Sequence, residues 1–280
     1  TYKFALGGGH GAIDNFFYET DNGEVIVCAD VASLYPNLMN NDFNKEFHFL
    51  SRTVKHREYF SWIIHKRLKA KQEGEKLLSD GLKLVINSIY GASLRPDTDF
   101  YDWVMGRNVC ITGQLVLWMM CEMIAEIPTT KIFNVNTDGV YTIINKAFLP
   151  KLQEALAKWQ DQLKLELEID VIDNGKVVQK DVNNYILYNK DTGKIKTKGK
   201  EVKQWKGGTW EKNSNSIVDE AVVKYFLYCK PVNETVMEAF DNNEVAKFQI
   251  VLKRKGANFI DTDYGDKIVQ KVNRVFATSD

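Results

Sequence analysis

Short apolar runs alternate with longer amphipathic stretches along this chain, and their order predicts an α+β fold. Glu24-Val-Ile-Val-Cys-Ala-Asp30 reads as a short buried strand. Residues 52–76 read as a polar, basic helix, with Glu73-Gly74-Glu75 as a turn. Residues 77–92 predict a second helix, apolar at Leu77, Leu78, Leu82, Val85, Ile86 and Ile89. Joined by that short turn, the two make an antiparallel helical hairpin. Residues 107–127 predict a long, buried helix. Lys131 to Asn136 is a strand, and Thr137-Asp-Gly139 turns it into Val140-Tyr-Thr-Ile-Ile144, a β-hairpin with an Asp-Gly tip. Leu149 to Leu163 is an amphipathic helix, and Leu165 to Lys203 alternates strands with turns at Asn174-Gly175 and Thr192-Gly193. From Ser216 the pattern returns to helices, broken at Pro231 and Asn242-Asn243. The expected architecture is an antiparallel sheet core with an inserted helical hairpin and a mainly helical tail.

Composition adds limits rather than direction. At 280 residues and 44% hydrophobic, the chain can bury a substantial core. Basic and acidic residues balance at 37 each, so net charge alone does not point to a polyanion. The balance hides asymmetry: residues 52–71 carry Arg52, Lys55, Arg57, Lys66, Arg67, Lys69 and Lys71 against one acid, Glu58. A second lysine-rich run spans 176–206. A surface of one sign attracts a polyanion locally whatever the total. Cys28, Cys110, Cys121 and Cys229 are scattered, without CxxC or zinc spacing, and read as reduced, mostly buried thiols. The stretch Leu115 to Ile127 is interrupted by Glu122 and Glu126 and is too short to span a bilayer. With no secretory signal pattern, a soluble, cytoplasmic protein without a membrane partner is expected.

Three blocks carry the chemistry: Asp30-Val-Ala-Ser-Leu-Tyr-Pro36, Lys83-Leu-Val-Ile-Asn-Ser-Ile-Tyr-Gly91 and Asn136-Thr-Asp138-Gly-Val140. The first and third each end an apolar strand-like run with a carboxylate. Phosphoryl transfer to a 3′-hydroxyl uses two divalent ions clamping the attacking and leaving oxygens. Asp30 and Asp138 supply carboxylates for Mg²⁺, and the Val31 carbonyl is placed to add a ligand. A lone Asp-Gly is most often plain turn chemistry; it is the combination with the intervening helix that points to nucleotidyl transfer. Lys83, Asn87 and Tyr90 share one helix face. Lysine neutralises charge on β- and γ-phosphates, Tyr90 offers a ring to a base pair, and Gly91 lets backbone approach a planar ligand. Arg67 and Lys71, four apart on the preceding helix, face the same triphosphate.

These blocks resemble motifs A, B and C of family B DNA polymerases, with the greatest likeness to phage and organellar-plasmid types with short fingers. The resemblance runs from the glycine-rich loop Leu6-Gly-Gly-Gly-His-Gly-Ala12 to roughly Gly208. It implies a right-hand polymerase: an antiparallel-sheet palm (1–50 and 93–205), short helical-hairpin fingers (51–92) and a small, mainly helical thumb (206–280). It makes Asp30 and Asp138 catalytic metal ligands, with Val31, for two Mg²⁺ ions, Mn²⁺ being an alternative. Arg67, Lys71 and Lys83 become triphosphate contacts, and Ser33 and Leu34 contribute backbone to the phosphate pocket. Tyr35 becomes the ring that excludes a ribose 2′-hydroxyl, while Asn87, Tyr90 and Gly91 line the nascent base pair. Gly8, Gly9 and His10 resemble a template-contacting loop. Tyr185, with Lys180, Lys196 and Lys198, would hold the primer duplex, although Asn183-Asn184-Tyr185 stands where the family often has Lys-x-Tyr. Motif C also departs, with Asn136 where the family has aspartate. Asp263-Tyr264-Gly265-Asp266 reads as ordinary turn chemistry in the helical tail.

The expected partners are primer-template DNA, dNTP and a separate exonuclease polypeptide, because the proofreading module is expected to be split off or lacking. If phage-encoded, the protein would work in the host cytoplasm. A rival expectation is a non-catalytic DNA-binding or assembly subunit of a split polymerase, and a third is a primase-like enzyme, against which the aromatic Tyr35 argues.

Overall fold

β4 (Glu24–Val31) is the strand around which the first part of the molecule is built. Its sequence is dominated by valine and isoleucine, and it is buried on both faces. In the computed structural model, which describes residues 2–5, 7–40, 54–202, 214–252, 262–264, 267–270 and 273–275, the chain divides into two compact units. The first holds Thr1–Ile13 and Thr20–Asn174, and the second Asp14–Glu19 and Gly175–Asp280.

The first unit contains a six-stranded sheet in the order β1-β2-β5-β6-β4-β7. Its other strands are β1 (Tyr2–Ala5), β2 (Gly8–Ala12), β5 (Lys131–Val135), β6 (Gly139–Asn145) and β7 (Leu167–Ile172). Every pairing is antiparallel. Val25, Val27, Ala29 and Val31 of β4, with Val140 and Ile144 of β6, join one core with the helices. Those helices are α1 (Leu34–Asn40), α2 (Arg57–Gln72), α3 (Lys76–Ser93), α4 (Trp103–Ala125) and α5 (Leu149–Leu163). α5 buries Leu152, Leu156, Trp159 and Leu163 at four and three spacing, and the Trp159 indole donates to the Val116 carbonyl at 2.9 Å, tying α5 to α4. α4 packs against α1 closely because Gly113 has no side chain: a Cβ there would lie 3.1 Å from the Tyr35 ring.

In the second unit β8 (Gly175–Asp181), β9 (Asn184–Asn189) and β10 (Ile195–Lys198) form a four-stranded antiparallel sheet with β3 (Phe16–Glu19), ordered β10-β9-β8-β3. α6 (Ser216–Tyr228) contributes Val223 and Leu227 to a core with Ile186, Ile195 and Val202. α7 (Val232–Asp241) follows it.

The α+β expectation and the inserted α2–α3 hairpin match this architecture. Several details differ. The glycine-rich segment is not a loop over most of its length, since Gly8–Ala12 pairs with both β1 and β5; Leu6 lies outside the described residues. α4 starts at Trp103, where the Asp102 side chain caps it by accepting from the Met105 amide at 3.1 Å. At 23 residues α4 is long and apolar enough to cross a membrane, unlike the shorter stretch Leu115 to Ile127, yet 56% of its most apolar window is buried within the protein. α3 buries Ser79, Ile86, Ile89 and Ser93 and leaves Leu77 90% exposed, so its apolar pattern overstates its packing. The tail is not all helical. β11 (Ile250–Leu252) pairs with β14 (Asn273–Val275) and β12 (Thr262–Tyr264) with β13 (Lys267–Gln270), as their β-branched content favours. Asp263 and Tyr264 are therefore strand residues, while Gly265 and Asp266 lie outside the described residues, as do Arg52 and the expected subdomain boundaries near 50–51 and 205–206.

Trp159→Phe removes the bond to Val116 and some ring volume from a fully buried site. A loss of about 2 kcal/mol is expected, read as a lower midpoint in urea denaturation followed by circular dichroism.

Candidate active site

Three strand ends meet where β4 leaves the sheet. The Val31 amide donates to the Asp138 carbonyl at 2.6 Å, and the Ala32 amide donates to the Glu166 carbonyl at 2.9 Å. The chain then turns through Ser33, whose φ of 54° is in the left-handed region, into α1. Within the ladder Asp30 stands opposite Gly139 on β6 and opposite Glu168 on β7. Asp138 immediately precedes Gly139, so both predicted metal-binding aspartates lie at one corner of the sheet. Asp30 is half-buried and Asp138 exposed.

The corner is held by polar contacts of its own. Asn136, 3% exposed, accepts a hydrogen bond from the Asp138 amide at 3.0 Å on its side-chain oxygen, and its own amide donates to the Gly139 carbonyl at 3.0 Å. It is a turn-forming residue, and it brings Gly139 into β6 rather than leaving an Asp-Gly tip. The Tyr141 hydroxyl donates to Asp30 Oδ1 at 3.1 Å and Oδ2 at 3.3 Å.

The predicted cations converge beside this corner. Arg67 Nη1 donates to the Ser33 hydroxyl at 2.7 Å, and its buried Nε has no hydrogen-bond partner. Lys71 Nζ lies 2.8 Å from Glu168 Oε1. The hydrogen bond from Lys71 holds the Glu168 carboxyl below the usual carboxylate range, against a desolvation effect that raises it, and the charges of Lys71, Arg67 and Lys83 add to the lowering. The sign is that of a depressed acid: the pair is intact above the ordinary carboxylate range and is lost as pH falls through the depressed value. Lys83 and Asn87 are exposed on α3, one turn apart.

Tyr35 and Tyr90 make a wall nearby. Their rings meet edge to face at 4.9 Å, and the Tyr35 hydroxyl donates to the Gly7 carbonyl at 3.3 Å. Burial pushes Tyr35 well above the ordinary phenol range, with Cys110, Tyr90 and Asp138 adding to the shift. Tyr90 is pushed up to about 12 by burial and by Cys110, so both hydroxyls stay protonated at neutral pH. Leu34 is buried, leaving only its backbone for a ligand. Past Tyr90, a Cβ on Gly91 would meet nothing within 4 Å. Gly8, Gly9 and His10 lie on β2, where His10 Nε2 is 3.4 Å from the Thr137 hydroxyl of the motif C turn.

Tyr185, Lys196 and Lys198 belong to the second unit. Tyr185 is only 5% exposed, and Lys198 and Lys196 on β10 stand opposite Tyr185 and Leu187. Asn183 and Asn184 close the β8–β9 turn on Asp181, which accepts from the Asn183 amide at 2.8 Å and from Asn184 Nδ2 at 2.9 Å. Among the described residues no group of three or more His, Cys, Asp or Glu side chains is placed to hold a metal ion. The described cysteines are free, three buried and Cys229 exposed.

Sequence reasoning missed two residues of this corner, Tyr141 and Glu168. Tyr141 follows Gly139 by two on the same strand face, and Glu168 follows Glu166 by two along β7 and its approach, so alternation was the available signal.

No family model matches the chain. Part of it is similar to the catalytic polypeptide of DNA polymerase epsilon, a family B polymerase, from several organisms. The identity is 27% over 172 residues with the Kluyveromyces lactis protein, covering 59% of this chain and 8% of that one. It is 26% over 131 residues with the Candida glabrata protein and 24% over 131 residues with that of Saccharomyces cerevisiae, each covering 45% of this chain and 6% of the relative. The chain thus spans less than a tenth of the length of the curated relatives it matches.

Asn136→Ala should destabilise the turn by about 1–2 kcal/mol, lowering the thermal midpoint, whereas Asn136→Asp, which keeps an acceptor at the same place, should remain near wild type.

Proposed function

We propose that this chain is the core of a template-directed DNA polymerase, adding dNMP from a dNTP to a primer 3′-hydroxyl. The observation that carries the reading is the meeting of Asp30 and Asp138 at one sheet corner with Arg67 and Lys71 beside it. The distant similarity to the catalytic polypeptide of a DNA polymerase supports it.

The donor set fits two Mg²⁺ ions. Asp30, Asp138 and the Val31 carbonyl are hard oxygen ligands, and phosphate and water oxygens would complete each shell. Bound there, Mg²⁺, or Mn²⁺ in its place, supplies Lewis-acid stabilisation of the attacking and leaving oxygens. The remaining work falls to the chain. Arg67 offers a buried Nε donor that has no partner within the protein, and a guanidinium suits a phosphate oxygen pair. Lys71 exchanges Glu168 for the incoming triphosphate, and Lys83 adds charge from α3. Ser33 and Leu34 meet the phosphates through their backbone. Tyr35, clamped between Tyr90 and the Gly113 surface, presents a fixed edge to the sugar. Asn87, Tyr90 and Gly91 line the new base pair, Gly8, Gly9 and His10 meet template, and Tyr185, Lys196 and Lys198 support primer. In this reading 1–50 and 93–205 are palm, 51–92 fingers and 206–280 thumb. A separate exonuclease polypeptide is a partner in the same reading.

A second reading is a non-catalytic DNA-binding or assembly subunit, motivated by Asn136 in place of an acid in motif C. Primer extension by the isolated chain with Mg²⁺ and dNTPs separates the two. Asp138→Ala should lower extension by on the order of 10³-fold, several kcal/mol of transition-state stabilisation, with duplex binding little changed. Extension at near wild-type rate by that variant would remove the metal assignment. Tyr35→Ala should relax discrimination against ribonucleotides by roughly 10- to 100-fold, the range of a lost steric contact, in a comparison of dNTP and rNTP incorporation.

A further inference from the structure

We infer that Tyr141 is a positioning residue for Asp30 and that, with Gly139, it fixes the direction in which that carboxylate presents itself to a divalent cation. Asp30 and Gly139 are direct partners across the β4–β6 ladder, and Tyr141 is opposite Cys28. Tyr141 and Gly139 therefore share the strand face that carries the Asp30 side chain. The Tyr141 ring is 2% exposed and packs 6.2 Å from the Phe133 ring, so its hydroxyl is delivered by a rigid, buried arm. That hydroxyl donates to both carboxylate oxygens, at 3.1 and 3.3 Å, which fixes the plane of the group and not only its position. Gly139 acts by shape. A Cβ there would stand 2.1 Å from Asp30 Oδ1, so the carboxylate occupies the space that a side chain would take.

The choice of a phenol suits the electrostatics. Asp30 has a second acid, Glu168, as its direct partner on β7, so the corner is rich in negative charge. A lysine or arginine could tether Asp30 only by neutralising it and competing with a metal ion. A neutral hydroxyl orients the carboxylate and leaves its charge to the cation. Partners that orient a ligand in this way typically govern metal affinity by 10- to 100-fold.

The activity arm of the test rests on the polymerase reading, and the binding arm does not. Mn²⁺ binding to the full chain is measured by titration calorimetry for wild type, Tyr141→Phe, Gly139→Ala and Asp30→Asn, together with the Mg²⁺ dependence of primer extension. Tyr141→Phe keeps the ring and its packing and loses only the hydroxyl. It should weaken Mn²⁺ binding roughly tenfold and raise the Mg²⁺ concentration for half-maximal extension by a similar factor, while the rate at saturating Mg²⁺ falls less than about threefold. Gly139→Ala should act in the same direction through displacement of the carboxylate, which keeps the test open if the phenylalanine variant does not fold. Equal Mn²⁺ affinity in wild type and the folded variants, or absence of Mn²⁺ binding by wild type, overturns the inference. Mn²⁺ binding that depends on Tyr141 in a chain that extends no primer upholds it and rejects the polymerase reading instead.

Discussion

The pairing of β4 with β6 fixes where every other group at the corner stands. Its register sets Asp30 opposite Gly139 and Val27 opposite Thr142. A slip of one residue would move Val25, Val27, Ala29 and Val31 out of the core and bring Asp30 into it. Burying a single valine or isoleucine contributes about 1.5–3 kcal/mol, and an unpaired buried carboxylate is far more unfavourable, so the alternative register is strongly disfavoured. The apolar side of the strand thus determines the place of its acid. β7 repeats the arrangement on the other edge of β4 and sets Glu168 beside Asp30.

That corner concentrates opposite charges in a chain whose total is zero. Arg67 and Lys71 come from one face of α2, and Lys83 comes from α3, while the acids come from strand ends. The helical hairpin is secured to the sheet by packing around α1 as well as by charge. Tyr35, on α1, touches Tyr90 on α3 and lies against Gly113 on α4. Three elements from separate parts of the chain therefore meet at one ring.

Much of this fold was legible because its strongest signals are local. α5 spans Leu149–Leu163 as its periodicity predicts, and β4 ends one residue beyond its predicted limit. What escaped needed partners far along the chain or a polar residue that looks like its neighbours. The start of α4 depends on Asp102, one of several polar residues in that stretch and distinguished only by its cap. The exposed Leu77 and Leu84 look like core in sequence, but nothing covers that side of α3 among the described residues. Asp30, Arg67, Lys71 and Asp138 stood out through their motifs. Tyr141 and Glu168 did not, because only strand register brings a residue 111 positions away onto the Asp30 carboxylate. Asn136 looked like a lost acid, and its side chain in fact closes a turn.

The two contacts that α2 makes with the sheet corner respond differently to ionic strength. Lys71 and Glu168 are 58% and 62% exposed, so their attraction contributes at most about 1 kcal/mol and fades as the screening length shrinks to roughly 3 Å in molar salt. The Arg67 bond to the Ser33 hydroxyl is partly buried and joins a cation to a neutral acceptor, which mobile ions weaken far less. Concentrated electrolyte therefore loosens the far end of α2 first, freeing the lysine while the arginine keeps its hold.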